Sequence, residues 1–144
     1  MSATAPLPDR STLLREAGLR VTQPRLAVLE ALEARPHAGT DAVIAAVRES
    51  LPVSTQAVYD VLHTLTARGV VRRIQPAGSV ARYELRTGDN HHHVVCRTCG
   101  AVTDVDCATG EAPCLEMPGT TDLHGYAIDE AEVTWWGACS ACRS

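Results

Sequence analysis

Ser54-Thr55-Gln56-Ala57-Val58-Tyr59-Asp60-Val61-Leu62-His63-Thr64-Leu65-Thr66-Ala67-Arg68-Gly69 is the stretch on which the fold turns. Ser54 is a good N-cap and Gly69 a good C′ residue, so the pattern predicts a helix over roughly Thr55 to Arg68. Val58, Leu62 and Leu65, with Val61 beside them, recur at helical spacing and form its buried face. Gln56, Tyr59, Asp60 and His63 fall on the opposite face, where hydrogen-bonding side chains can reach base edges in a major groove. An ordinary solvated surface would look the same, so the neighbouring segments have to decide.

Downstream, Val70-Val71-Arg72-Arg73-Ile74 and Val80-Ala81-Arg82-Tyr83-Glu84-Leu85 are strand-like runs around a turn at Pro76-Ala77-Gly78-Ser79. Upstream, Ser11 is expected to cap a short helix ending at Gly18. Thr22 is expected to cap a second, with Pro24 in its first turn and Leu26, Val28, Leu29 and Leu32 as its apolar stripe, stopped at Pro36. Thr40 is expected to cap a third, carrying Val43, Ile44 and Val47 and ended by Pro52. Three helices, a helix with a polar face and an arginine-bearing hairpin follow the order of a winged helix-turn-helix. Thr55, Gln56 and Tyr59 are then candidate DNA contacts, and Arg72, Arg73 and Arg82 on the wing, with Arg20 and Arg25, are candidates for phosphates.

Charge divides the chain in the same way. Residues 1–86 carry 11 Arg against 8 acidic residues, a net of +3, while residues 87–144 carry 2 Arg against 9, a net of −7. A mildly basic module is thus followed by an acidic one. Thr87-Gly88-Asp89-Asn90 reads as a turn-rich hinge between a domain of residues 1–86 and one of residues 91–144. No run approaches the ~20 apolar residues of a membrane span. The opening Met1-Ser2-Ala3-Thr4-Ala5-Pro6 lacks the basic and apolar regions of a signal peptide, so a cytoplasmic protein is expected.

The second module is organised by cysteine and histidine. Cys96-x-x-Cys99 and Cys139-x-x-Cys142 are two knuckles of the kind that close a tetrahedral zinc cage, and in a reducing compartment clustered cysteines point to metal. His91-His92-His93-Val94-Val95-Cys96 reads as a strand, in which alternation puts His91 and His93 on one face and His92 on the other. Two imidazoles in register form half of a divalent-metal site. Ala101-Val102-Thr103-Asp104-Val105-Asp106 reads as another strand, with Asp104 a candidate oxygen ligand; Tyr126 through Trp136 reads as a last one. Trp135 and Trp136 alternate faces, one for the core and one for a subunit contact. The fold class is α+β.

Several motifs together resemble the ferric uptake regulator family of bacterial metal-dependent repressors. They are Gly18-Leu19-Arg20-Val21-Thr22-x-Pro24-Arg25, Gln56-Ala57-Val58-Tyr59, His91-His92-His93-x-x-Cys96-x-x-Cys99-Gly100 and Cys139-x-x-Cys142. Gly88-Asp89-Asn90-His91-His92-His93 and Gly110-Glu111-Ala112-Pro113-Cys114 look closest to the actinobacterial branch that represses catalase-peroxidase genes. The resemblance implies a homodimer joined through residues 91–144 that reads a palindromic operator in double-stranded DNA. It implies one structural Zn2+ per subunit on Cys96, Cys99, Cys139 and Cys142, and a regulatory Fe2+ or Mn2+ on His37, Glu84, His91, His93 and Asp104.

Asp rather than Glu at 104 is similar to the family's peroxide sensors, in which oxidation of His37 or His91 would release DNA. Iron-responsive or thiol-based regulation is the alternative. A candidate third metal site would use His92, Glu111 and His124, but Ala131 falls where the family often has histidine. The chain also departs from the family in a Pro- and Gly-rich stretch after Cys107, and in the extra thiols Cys107 and Cys114, which suit small buried side chains or a redox pair. A zinc hydrolase would need a general base and a pocket that this short module does not offer, so no enzyme is expected.

Overall fold

The structure, a computed structural model, describes residues 8–85, 91–106, 122–127 and 131–143. Its packing separates two compact units, Met1–Thr87 and Gly88–Ser144. The expected hinge at 87–90 and the residues Cys107, Glu111 and Cys114 lie outside the described residues.

The first unit contains α1 (Arg10–Glu16), α2 (Gln23–Ala34), β1 (Ala38–Gly39), α3 (Thr40–Arg48), α4 (Thr55–Ala67), β2 (Arg72–Ile74) and β3 (Arg82–Glu84). Caps set most of the boundaries. The Thr22 side chain accepts from the Arg25 N–H at 3.4 Å, and that of Ser54 accepts from the Ala57 N–H at 3.0 Å. Gly18 and Gly69 follow α1 and α4 at φ 74° and 70°, the left-handed backbone that ends a helix without a Cβ penalty. Two expected caps move, the first by two residues and the second by one. Asp9 precedes α1 and Ser11 lies inside it. Gly39 precedes α3 because Ala38–Gly39 is already paired as a strand, leaving Thr40 as the first helical residue.

The helices bury one apolar stripe each: Leu14 from α1, Val28, Leu29 and Leu32 from α2, Val43, Ile44 and Val47 from α3, and Val58, Leu62 and Leu65 from α4. Each such side chain contributes about 1.5–3 kcal/mol on burial. Val70, Val71, Tyr83 and Leu85 close the core from the sheet side. The expected hairpin is present, with Ile74 opposite Arg82 and the Ser79 N–H bonded to the Pro76 carbonyl at 2.9 Å. The periodicity did not reveal β1, which pairs antiparallel with β3 and makes the sheet three-stranded in the order β1-β3-β2.

In the second unit β4 (His91–Cys96) is central, with β5 (Val102–Asp106) antiparallel on one side and β8 (Thr134–Gly137) parallel on the other. The expected strand from Tyr126 through Trp136 is replaced by two short pieces in different sheets. Tyr126–Ala127 (β7) folds back on Asp122–Leu123 (β6) through His124 and Gly125, whose φ values of 53° and 84° are those of a two-residue hairpin turn. The His93 N–H bonds to the Val133 carbonyl at 3.3 Å, and from Thr134 the chain pairs with β4. Neither tryptophan is fully buried: Trp135 is 47% exposed, and Trp136 is half-buried with the Arg97 guanidinium 5.8 Å from its ring. Among the described residues no helix is long and apolar enough to cross a membrane.

Candidate metal centres and nucleic-acid face

Cys96 ends β4, and the turn that follows is closed by the Gly100 N–H on the Cys96 carbonyl at 2.9 Å, with Gly100 at φ 76°. Cys139 starts a second turn, closed by the Cys142 N–H on the Cys139 carbonyl at 3.0 Å. Parallel pairing of β4 with β8 brings these turns together: Cys96 is opposite Gly137, and the Cys139 N–H points at Cys96 Sγ at 3.3 Å. The four sulfur atoms lie within 4.8 Å of one another, and Cys99 Sγ is 3.8 Å from Cys139 Sγ. A zinc ion with bonds of ~2.3 Å to four tetrahedral sulfurs requires edges of about 3.8 Å, so the cage has the size and donor chemistry of a structural zinc site. Backbone N–H groups, foremost that of Cys139 and then that of Cys99, lower the Cys96 thiol to about 6. The neighbouring sulfurs of Cys139 and Cys99 push Cys142 up to about 12.

Alternation along β4 sorts the histidines as expected. His91 Nε2 and His93 Nε2 lie 3.5 and 3.4 Å from the same Asp104 oxygen, and their rings meet edge to face at 4.9 Å. Both imidazoles are 1% exposed. Asp104 reaches them because it pairs opposite His93 on β5; Asp106 pairs opposite His91. His92 is on the other face, where its Nδ1 accepts the Val133 N–H at 3.3 Å and its ring packs edge-on against Trp135. The Nε2–H tautomer follows from that acceptor role. Of the other residues proposed for a third metal site, His124 is exposed in the β6–β7 turn and Glu111 lies outside the described residues.

The first unit holds a second imidazole–carboxylate pair. His37 Nε2 is 3.0 Å from Glu84 Oε2, and both side chains are buried. His37 has φ 65°, a region that costs a non-glycine residue roughly 1–2 kcal/mol. Its backbone is explained by the turn Arg35-Pro36-His37-Ala38, closed by the Ala38 N–H on the Arg35 carbonyl at 3.3 Å. Proline second and positive φ third is the pattern of a type II turn, where glycine or asparagine is usual. The Pro36-His37 dipeptide was therefore a signal for this turn as well as for the end of α2. Imidazole nitrogens and carboxylate oxygens are donors that suit a divalent first-row cation.

The exposed face of α4 presents Gln56, Tyr59, Asp60 and His63, with the Gln56 amide donating to Asp60 at 2.8 Å. Thr55 is held at the start of α4 by Arg48, whose guanidinium donates to its hydroxyl at 3.1 Å, a contact the sequence did not suggest. An open groove of about 370 Å³ runs beside this face, with Tyr59, Arg73, Gln75 and Val80 among its lining residues. Arg20 is exposed and its carbonyl accepts from Arg25 at 2.8 Å; Arg73 is exposed and Arg72 half-buried. Arg82 differs from the other candidates. Its guanidinium turns inward and donates to the His37 carbonyl at 3.2 Å.

The ferric uptake regulator family profile matches residues 16–128. The chain is 63% identical over 137 residues to the transcriptional regulator FurA of Mycobacterium tuberculosis, covering 94% of this chain and 91% of that one. It is 62% identical over 136 residues to ferric uptake regulation protein 1 of Mycolicibacterium fortuitum, covering 94% and 83%. Its structure is similar to that of the ferric uptake regulator from Pseudomonas aeruginosa with manganese, at a TM-score of 0.66 and 26% identity, over 91% of this chain and 98% of that one. The chain belongs to the ferric uptake regulator family, and is a transcriptional regulator rather than an enzyme.

Proposed function

We propose that this regulator is a metal-dependent, peroxide-responsive repressor that acts in the cytoplasm as a homodimer on a palindromic operator, controlling catalase-peroxidase or related oxidative-stress genes. Residues 1–86 would read DNA through Thr55, Gln56 and Tyr59, with Arg20, Arg25, Arg72 and Arg73 at phosphates, and residues 91–144 would pair the subunits. One zinc ion per subunit on Cys96, Cys99, Cys139 and Cys142 would hold the pairing module together. A regulatory Fe2+ or Mn2+ would take His37 and Glu84 from one module and His91, His93 and Asp104 from the other, closing the hinge at 87–90.

The observation that carries this reading is that each unit presents buried imidazole next to carboxylate: His37 with Glu84, and His91 and His93 with Asp104. A cation that binds only when the two groups come together favours the DNA-competent arrangement by its differential affinity. A hundredfold preference corresponds to about 2.7 kcal/mol. When bound, ferrous iron supplies reducing power toward peroxide beside the rings of His37 and His91. Peroxide would then give one oxygen atom to a ring carbon of either histidine and leave as water, and the weakened nitrogen donor would let the clamp go.

An operator titration at several salt concentrations, with and without Mn2+ or Fe2+, tests the proposal. Metal-loaded protein should bind with a steep salt dependence and metal-free, zinc-retaining protein weakly. Peroxide treatment of the iron form should release DNA and add one oxygen to His37 or His91, detected by mass spectrometry. Equal operator binding with and without the regulatory metal would end the proposal. DNA release with both rings unmodified would leave thiol chemistry as the sensor.

A further inference from the structure

One strand holds His37 at two points. Residues two apart on a strand share a face, so Arg82 and Glu84 project together from β3 while Tyr83 points into the core. Glu84 meets the imidazole at 3.0 Å, and Arg82 Nη1 donates to the carbonyl of the same residue at 3.2 Å. The register supports both contacts, since Ala38 is opposite Tyr83 and Gly39 opposite Arg82. His37 needs such a hold. Its φ of 65° lies outside the regions that side-chain-bearing residues prefer, and β1 is only two residues long. A hydrogen bond from a charged guanidinium is stronger than a neutral one and fixes the plane of the peptide it meets.

We infer that Arg82 is a positioning residue for His37, which locks the turn that presents this imidazole and so sets the affinity of the regulatory metal site. The inference rests on the proposal that His37 is a metal ligand. It removes Arg82 from the phosphate contacts expected of a wing arginine, because the guanidinium is committed inward. It also makes the wing strand part of the metal site: Glu84 would contribute a ligand and Arg82 would orient one.

The test measures Mn2+ binding to full-length, zinc-loaded protein and its Arg82→Gln, Arg82→Lys, His37→Asn and Arg82→Gln/His37→Asn variants. Asparagine is chosen because it tolerates the left-handed backbone. Arg82→Gln should weaken Mn2+ binding about 10- to 100-fold, the range for groups that orient metal ligands. Arg82→Lys, which keeps one charged donor, should lose less and guards against a Gln variant that misfolds. The double variant should bind no more weakly than His37→Asn alone, because Arg82 acts through His37. Fully additive losses would overturn the inference, since a general structural role gives that result. Unchanged Mn2+ affinity in Arg82→Gln, with weaker operator binding and a shallower salt slope, would return Arg82 to the phosphates. Unchanged Mn2+ affinity in His37→Asn would instead remove the site reading on which the inference stands.

Discussion

The four thiols and the imidazole–carboxylate groups are both built for metal, but they are distributed differently. Cys96, Cys99, Cys139 and Cys142 all belong to the second unit, and two local turns joined by one strand pairing complete their cage. The histidines and carboxylates are divided, His37 and Glu84 in the first unit and His91, His93 and Asp104 in the second. Donors completed inside one unit make the metal part of that unit's stability. In the function proposed above, donors divided between two units would make occupancy depend on how the units are arranged, which is what a switch requires. The donor types agree. Thiolates suit a closed zinc site, whereas imidazole and carboxylate suit exchangeable divalent iron or manganese.

This contrast is most directly broken at the cage. Cys139→Ser should abolish zinc binding and unfold the second unit, since structural zinc contributes on the order of 10–16 kcal/mol of apparent binding energy in small domains. Circular dichroism with metal analysis checks this; a folded, zinc-free variant would make the cage dispensable. His93→Ala should do the opposite, lowering Mn2+ affinity by more than ~100-fold, beyond what groups behind a ligand cost, with zinc content and fold unchanged. Loss of zinc in that variant would mean the two groups are not independent.

Acidity should sharpen the comparison further. In the metal-free cage the Cys96 thiol lies at about 6, below its ordinary value. The stability this adds is fully present above the unfolded value and is lost as pH falls through about 6. Cys142, raised to about 12, is protonated at neutral pH and must release its proton to bind zinc. Zinc affinity should therefore fall as pH falls, with proton release on uptake at pH 7, measurable by calorimetry in buffers of different ionisation enthalpy. Uptake without proton release would overturn this order of thiols. The smallest change concerns chemistry at one ligand. Asp104→Glu should keep metal-dependent operator binding within a few-fold while reducing peroxide sensitivity, followed by DNA release against peroxide dose.

Much of this was legible in the chain because it depends on short-range rules. Ser54 and Gly69 bound α4, and its apolar period predicted the burial of Val58, Leu62 and Leu65. Alternation over six residues placed His91 and His93 together and His92 apart. The β6–β7 hairpin was missed although His124-Gly125 is a short-range signal of the same kind, with glycine supplying the positive φ. Two-residue β1 was too short for any period to show.

Identity of donors, their spacing along the chain and the face each occupies on its own helix or strand belong to the amino-acid order alone, because caps, turns and alternation act over a few residues. Convergence belongs to the tertiary structure. Parallel pairing of β4 with β8 directs the Cys139 N–H at a sulfur 43 residues away, and β3 beside β1 directs Arg82 at a carbonyl 45 residues away. Such meetings depend on which strands pair and in what register, and that is decided by the burial of whole faces rather than by any local sequence pattern.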